Sequence, residues 1–249
     1  MPSLRSLLSD LAPVPIGNPN KSFYVRTTSV DAGSGGCCCL WTTPAGVTSV
    51  SFEMWGAGGG GPGARCCERA GTMSTGGSYA LKTVSTVAGC QFRICSAGST
   101  SCNGCCGIIG RASPSYVVDI TAGSTIGCAI GGTGGCSQMT RGGFCYGYIC
   151  CWGLTSGTGL GDIVMDGTGG TSITTCHCNT DIHMIRAGGF GSESKSSGWC
   201  AKTATGAGDY HMCTVPAWPA GGGGSGRACG GGFCHGQHGS AGFIKVSFT

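Results

Sequence analysis

The amino-acid sequence predicts a mainly β protein: a sandwich or jelly-roll-like domain with long ordered glycine-rich loops and a short N-terminal helix or arm. Three observations predict this fold. Short apolar segments with alternating polar residues recur along the chain, as in half-buried strands. Glycine contributes 52 of the 249 residues and separates those segments. The regular spacing of short strands and turn signals favours a sandwich or jelly roll.

The helical pattern in the sequence lies in residues 1–11. Four leucines recur there at helical spacing and share one face. They are Leu4, Leu7, Leu8 and Leu11. A leucine face of this kind packs on its own domain or docks on a partner. We predict a docking arm over residues 1–36 and a glycine- and cysteine-rich β domain over residues 37–249.

Alternation predicts the strands that follow. Residues 49–54 place Val, Phe and Met on one face and Ser, Ser and Glu on the other. Residues 243–248 place Ile, Val and Phe on one face in the same way. Both segments are therefore predicted to be half-buried strands.

Two similar stretches predict a duplicated hairpin. Residues 79–84 and 91–95 flank an Ala-Gly turn, and residues 116–120 and 125–130 flank an Ala-Gly-Ser turn. Each stretch reads as a strand, a turn of small residues, a second strand and then glycines. We predict that each stretch folds as an antiparallel pair.

Glycine tracts separate these strands. Because the tracts adjoin tryptophan, phenylalanine and cysteine inside the domain pattern, we predict ordered, packed loops and not flexible linkers. The tracts are residues 56–63, 131–135, 167–170, 188–191, 221–226 and 230–232.

Composition excludes several function classes. Charged residues make up 10% of the chain, the net charge is +4, and lysine and arginine form no run, so we expect no nucleic-acid binding. No apolar run is long enough for a signal peptide or a spanning helix, so we expect no membrane insertion. The ten carboxylates are dispersed, and no nucleophile elbow or phosphate loop occurs, so we expect no enzyme activity.

The 21 cysteines leave three roles open: disulfides, reduced thiols and metal ligands. Several are adjacent in sequence, and neighbours on a strand point to opposite faces, so their partners must lie elsewhere. An odd number also leaves at least one cysteine outside intrachain disulfides. We predict several intrachain disulfides between residues 60 and 240, because disulfides would offset a thin aliphatic core.

The metal hypothesis rests on cysteines that lie close to histidines. Thiolate and imidazole together suit zinc, or iron in some settings, although no paired CxxC motif supports the site. No other cofactor is expected. The candidate ligands are Cys176, Cys178, His183, His211, Cys213, Cys234, His235 and His238.

Aromatic residues in polar, glycine-rich surroundings are candidates for recognition. Such rings stack on sugars or anchor a protein interface, and they also pack over glycine backbone. The candidates are Tyr146, Tyr148, Trp152, Trp199, Tyr210 and Trp218.

Residues 41–50, Trp-Thr-Thr-Pro-Ala-Gly-Val-Thr-Ser-Val, lead into residues 53–61, Glu-Met-Trp-Gly-Ala-Gly-Gly-Gly-Gly. This run resembles the opening of the glycine-rich domain of bacteriophage tail-fibre and adhesin-type virion proteins: a valine-rich strand, a tryptophan and GAGGGG. Three further stretches resemble family landmarks in the same order. They are residues 76–80, 167–172 and 239–248.

The resemblance implies a β-rich domain on a virion appendage. In such adhesins, glycine runs form extended three-fold helices that pack together and display variable loops to host surfaces. We therefore expect a structural virion protein of a tailed bacteriophage, as a tail, fibre, baseplate or decoration component. It would be assembled in the host cytoplasm and become extracellular on lysis.

The expected partners are other virion structural proteins, further copies of this chain and a host-surface glycan or protein. The resemblance favours a trimer. The 21 cysteines exceed what the family implies and keep an alternative open. That alternative is a non-viral, cysteine-rich protein that binds metal or is cross-linked in an extracellular matrix.

Overall fold

The computed structural model describes residues 21–27, 35–61, 74–100, 111–134, 159–167 and 238–249, together with the backbone of five short strands elsewhere. This part of the chain is mainly β, as predicted, and contains no helix. The described residues include no helix that is long and apolar enough to cross a membrane. The predicted N-terminal helix lies outside the described residues.

Two antiparallel sheets carry the fold. The five-stranded sheet has the order β1-β14-β3-β5-β9, and the four-stranded sheet has the order β2-β6-β7-β8. The first consists of β1 (Lys21–Arg26), β14 (Phe243–Phe248), β3 (Ser49–Trp55), β5 (Tyr79–Ser85) and β9 (Ile163–Met165). The second consists of β2 (Cys37–Thr42), β6 (Gln91–Ser96), β7 (Ser115–Asp119) and β8 (Ser124–Ala129).

Two smaller sheets use the remaining strands. β10 (Thr171–Thr174), β11 (His183–Arg186) and β12 (Gly198–Cys200) form one, and β4 (Ala64–Arg65) pairs with β13 (Phe233–Cys234) in the other.

The core lies between the five-stranded and the four-stranded sheet, which therefore form a sandwich. The predicted alternation is confirmed, because the apolar faces of β3 and β14 are fully or almost fully buried there. Phe52 of one sheet meets Phe92 of the other at a ring-centroid distance of 5.3 Å. Trp41 contacts Phe23 and Phe248 at 5.7 and 5.5 Å. Aromatic contacts between the two sheets thus add to a core that also buries valine and isoleucine side chains from both sheets.

Three short turns close one end of the sandwich. They join β2 to β3, β5 to β6 and β7 to β8, and each has an Ala-Gly pair in which the glycine has a positive φ. The values are 85° at Gly46, 88° at Gly89 and 68° at Gly123. Glycine is favoured there because a Cβ would make this left-handed backbone costly.

One predicted hairpin is confirmed and the other is wrong. β7 pairs with β8 around Gly123, as expected. β5 pairs with β3 and β9, whereas β6 pairs with β2 and β7, so the turn at Gly89 carries the chain from one sheet to the other. The stretches look alike because both turns need small residues, and local sequence does not specify which strand becomes the neighbour.

The β domain begins earlier than the predicted boundary at residue 37. β1 pairs with all six residues of β14, from Lys21 opposite Phe248 to Arg26 opposite Phe243. Val25 is 1% exposed in the core. The described part of the predicted docking arm therefore includes a strand of the domain itself.

Candidate functional site: the glycine bundle

The end of the sandwich opposite the turns is built from extended, glycine-rich chain. Strands of both sheets start or stop there, and the segments beyond them are largely buried and hydrogen-bonded to one another. We call these segments the glycine bundle. They are residues 56–61, 74–78, 97–100, 111–114, 130–134, 167 and 238–242.

Hydrogen bonding in the bundle repeats every three residues. Four consecutive N–H groups of the segment 56–61 donate to three different neighbouring segments, and the first and fourth donate to the same one. The pairs are Gly56 with Ser78, Ala57 with Ser113, Gly58 with Ser240 and Gly59 with Thr75, at N···O distances of 3.0, 3.3, 2.9 and 3.0 Å. An extended helix with three residues per turn has this pattern, because every third residue faces the same side.

The close approach of the segments explains the glycines. At seven bundle glycines, an added Cβ would overlap backbone atoms of a neighbouring segment, mostly carbonyl groups. These are Gly56, Gly59, Gly77, Gly131, Gly132, Gly167 and Gly239. Alanine is accommodated elsewhere, since Ala57, Ala97 and Ala112 form a small buried cluster. The bundle thus requires glycine at particular positions, much as the crowded axis of collagen does.

Serine and threonine hydroxyls bind backbone groups that the segments do not pair among themselves. Buried Ser115 donates to Trp55 O at 2.6 Å and accepts from Ala97 N at 2.9 Å. Thr100 Oγ1 donates to Gly58 O at 2.9 Å and accepts from Gly239 N at 3.1 Å. Buried backbone without such partners would be costly, so these hydroxyls take the place of water.

Sequence reasoning did not identify these hydroxyls. Neither Ser115 nor Thr100 adjoins one of the glycine tracts, so no local signal marks them.

Long stretches of chain begin and end at the bundle. The chain leaves at Gly61, Thr100, Gly134 and Gly167. It returns to the bundle at residues 74, 111 and 238. At residue 159 it returns beside β8, where Leu160 pairs with Cys128. β4 of the stretch 62–73 pairs with β13 of the stretch 168–237. The stretches 62–73, 101–110, 135–158 and 168–237 therefore all start and end on the same side of the domain.

Most predicted metal ligands lie outside the described residues. Of the eight, His183 and Cys234 belong to strands known by backbone alone, and His238 lies at the edge of the bundle. The register places His183 directly opposite Cys200, a cysteine that sequence reasoning did not select. Where side chains are described, no three His, Cys, Asp or Glu residues come together as metal ligands.

The predicted recognition and docking residues also fall largely outside the described residues. Trp199 lies on β12, opposite Met184 of β11, and is known by its backbone. The other five aromatic candidates and the four leucines of residues 1–11 belong to the part that the structure does not describe.

The cysteines of β2 illustrate how adjacent thiols differ. Cys38 forms a disulfide with Cys95, its direct cross-strand neighbour and 57 residues away in sequence. One partner therefore lies outside the predicted range of residues 60–240. Cys37 and Cys39 are free thiols that pack against the core from the opposite face of the strand.

Burial controls the acidity of these thiols. Burial, together with the neighbouring Cys37, raises the pKa of Cys39 to about 11. Burial also raises the pKa of Cys128 above its ordinary value. Both thiols therefore stay protonated at neutral pH and are poor nucleophiles and poor metal ligands.

No protein-family model matches the chain, and no curated protein matches it either.

Proposed function

We propose that this protein is a structural protein of a tailed-bacteriophage virion, whose glycine bundle holds long chain segments toward the host surface. The observation that carries the proposal is that the two ends of the sandwich differ. Three short turns close one end of the sandwich, and the stretches 62–73, 101–110, 135–158 and 168–237 start and end at the other.

The bundle suits a display role because it holds itself together through backbone. Its segments bond through N–H and C=O groups and need few side chains, so the stretches between them are free to vary in sequence. Each stretch has at least one end fixed by bonds to neighbouring segments. Fixed ends lower the conformational entropy that a displayed segment loses on binding.

The attachment end follows from where the chain enters the domain. Lys21 begins β1 beside Phe248, at the end closed by the turns. Residues 1–20, whose sequence predicts a leucine face, therefore connect to the domain on the side opposite the bundle. We propose that this segment docks on other virion structural proteins. By the resemblance to tail-fibre proteins, we propose a homo-oligomer, with a trimer favoured.

We propose a structural and adhesive role in the virion, one that requires no catalysis or cofactor. Its host-surface partner would be a glycan or a protein.

A second candidate is a cross-linked protein of a non-viral extracellular matrix. The Cys38–Cys95 disulfide favours it, because disulfides persist in oxidising surroundings. A phage particle released by lysis also enters an oxidising environment, so the disulfide does not separate the two candidates. The location of the protein does. Antibodies against the folded protein should label phage particles at one fixed position by electron microscopy. Antibodies that label a cell-derived matrix and leave phage particles unlabelled would instead establish the second candidate.

The display role needs a separate test. Purified full-length protein should compete with phage adsorption to host cells. Replacing residues 101–110 with a Gly-Ser stretch of equal length should abolish or change that competition. Ala45→Ser, in a turn at the opposite end, is the matched control and should compete normally. Equal competition by the wild-type chain and by four variants, each with one of the stretches 62–73, 101–110, 135–158 and 168–237 replaced in this way, would refute display.

A further inference from the structure

The five-stranded sheet has two open edges, β1 and β9. Among the strands that the structure describes, none pairs with the outer side of either, so each keeps a row of backbone N–H and C=O groups without a strand partner. All pairings within the sheet are antiparallel, from β1 through β14, β3 and β5 to β9. The two edge strands therefore run in the same direction.

Exposed apolar side chains concentrate at the β9 edge. Of the six large hydrophobic residues exposed in the described part of the chain, three belong to the stretch 160–165. They are Leu160, Ile163 and Met165, at 49%, 49% and 40% exposure. Apolar side chains grouped in this way along an open strand edge are typical of a surface that contacts another protein.

The β1 edge exposes an aromatic ring at the same level of the sheet. Tyr24 is 53% exposed and begins a ladder of four rings on the outer face, with successive centroid distances of 5.3, 5.2 and 5.0 Å. The ladder continues through Phe243 and Trp55 to Tyr79, which lies opposite Met165 in the register. One apolar band thus crosses the sheet and ends in exposed side chains at both edges.

The charges at the two edges are opposite in sign. β1 begins at Lys21 and ends at Arg26, whereas Asp162 and Asp166 flank β9. Asp162 Oδ1 lies 2.6 Å from Lys82 Nζ. Arg26 and Asp166 are exposed and form no ion pair with another described residue. Both lie at the bundle end of their strands, so they are at the same level of the sheet.

These charges favour contact between unlike edges. Two copies that met through β9 would bring carboxylates together, and two copies that met through β1 would bring cations together. Like charges in an interface are costly and suppress such pairings. Contact of β9 with β1 of another copy instead places acidic side chains beside basic ones and joins the two exposed ends of the apolar band.

We propose that the β9 edge of one copy of this chain contacts the β1 edge of the next copy. Ile163 then lies beside Tyr24 of the next copy, and Asp166 lies beside its Arg26. The relative direction rests on the proposed display role, because all bundles lie on the same side when the two edges run in the same direction. Contact between unlike edges forms a ring where it closes, and the proposed trimer is a ring of three.

Sedimentation velocity of the full-length protein measures this contact. The wild-type chain should associate at micromolar concentration, and more weakly as salt is raised. Arg26→Asp and Asp166→Arg should each raise the dissociation constant at least about tenfold, and the double variant should recover most of that loss. Arg93→Asp, at an exposed position on β6, is the matched control and should associate like the wild type.

A second pair of variants tests the apolar part of the contact. Met165→Ser should weaken association, whereas Val87→Ser, at an exposed apolar position in a turn, should leave it unchanged. All the substituted side chains are exposed, so each variant should melt like the wild type. If Met165→Ser melts lower, Ile163→Ser replaces it.

Several results would overturn the contact. Stronger association of either single charge variant would indicate contact between like edges. A double variant that recovers nothing would show that Arg26 and Asp166 do not meet. A wild-type chain that stays monomeric at micromolar concentration would refute the contact even if antibodies label phage particles. Association with the expected charge reversal, in a protein found only in a cell-derived matrix, would support the contact and refute the virion role.

Discussion

Replacing Gly132 with alanine tests the glycine bundle where three neighbouring segments meet. An added Cβ would overlap Thr75 O and would lie 2.8 Å from both Gly59 N and Gly76 O. All three are backbone atoms of two different segments, so rotation of a side chain gives no relief. The segment 130–134 has to move away from both neighbours.

That movement removes two short hydrogen bonds of Gly132 itself. Its N–H donates to Ala57 O at 2.7 Å, and its carbonyl accepts from Ala112 N at 2.8 Å. Each buried group left unsatisfied costs about 1–3 kcal/mol, and overpacking adds about 1–3 kcal/mol. We therefore expect Gly132→Ala to destabilise the domain by about 4 kcal/mol, which lowers Tm by about 10 °C.

Two other glycines separate the possible causes. Gly35→Ala is the neutral control, because this residue is exposed and nothing lies within 4 Å of its added Cβ. Gly46→Ala also meets no atom but has a φ of +85°, so it should cost about 1–2 kcal/mol through backbone strain alone. In calorimetric melts, Gly132→Ala should lower Tm the most, Gly46→Ala less, and Gly35→Ala the least. A Gly132→Ala protein that melts within about 2 °C of wild type would refute the close-packed bundle.

Three further perturbations give distinct expectations. The Cys38–Cys95 disulfide closes a loop of 57 residues, so Cys38→Ser should cost about 4 kcal/mol in chemical denaturation, and no change would show that the bond does not form. The pKa of Cys39, about 11, lies above the ordinary 9.0, so its contribution to stability is complete below pH 9 and is lost as pH rises through 11. Its alkylation in the folded protein should accordingly be slow at pH 8 by mass spectrometry, and labelling as fast as in urea would contradict its burial. Deleting residues 1–20 should leave the thermal unfolding of the domain unchanged but abolish incorporation of the protein into particles. Deleting residues 1–36 also removes β1 and should lower the free energy of unfolding by at least about 3 kcal/mol. Equal stability of the two truncated proteins would be inconsistent with β1 as part of the core.

The amino-acid pattern alone determined the faces of individual strands. The alternation in β3 and β14 predicted which side chains enter the core, because side-chain direction in a strand has a period of two, whatever strand lies beside it. Two of the three Ala-Gly turns, those at Gly89 and Gly123, were also predicted, because a positive φ is a local requirement that glycine meets. The opposite faces of adjacent cysteines on β2 also follow from this period.

Pairing was decided by the tertiary structure. β5 and β6 flank a turn much like the one between β7 and β8, yet they belong to different sheets, because the partner of each strand is set by burial across the whole domain. β1 pairs with β14 at the far end of the sequence, so its place in the sheet had no local signal. The disulfide joins residues whose proximity results from the pairing of β2 with β6.

The glycine bundle is the clearest case in which local sequence does not predict the neighbours of a segment. The sequence displays glycine tracts, and composition alone fits a flexible linker as well as a packed helix. Resemblance to tail-fibre proteins implied three-fold helices. The tertiary structure decided which residues face each other, because the segment 56–61 bonds to residues 16 to 182 positions away, for example at Thr75 and Ser240. Glycine has no side chain, so a glycine tract contains no pattern that predicts which segments pack against it. Those neighbours are set when the two sheets bring the ends of the segments together.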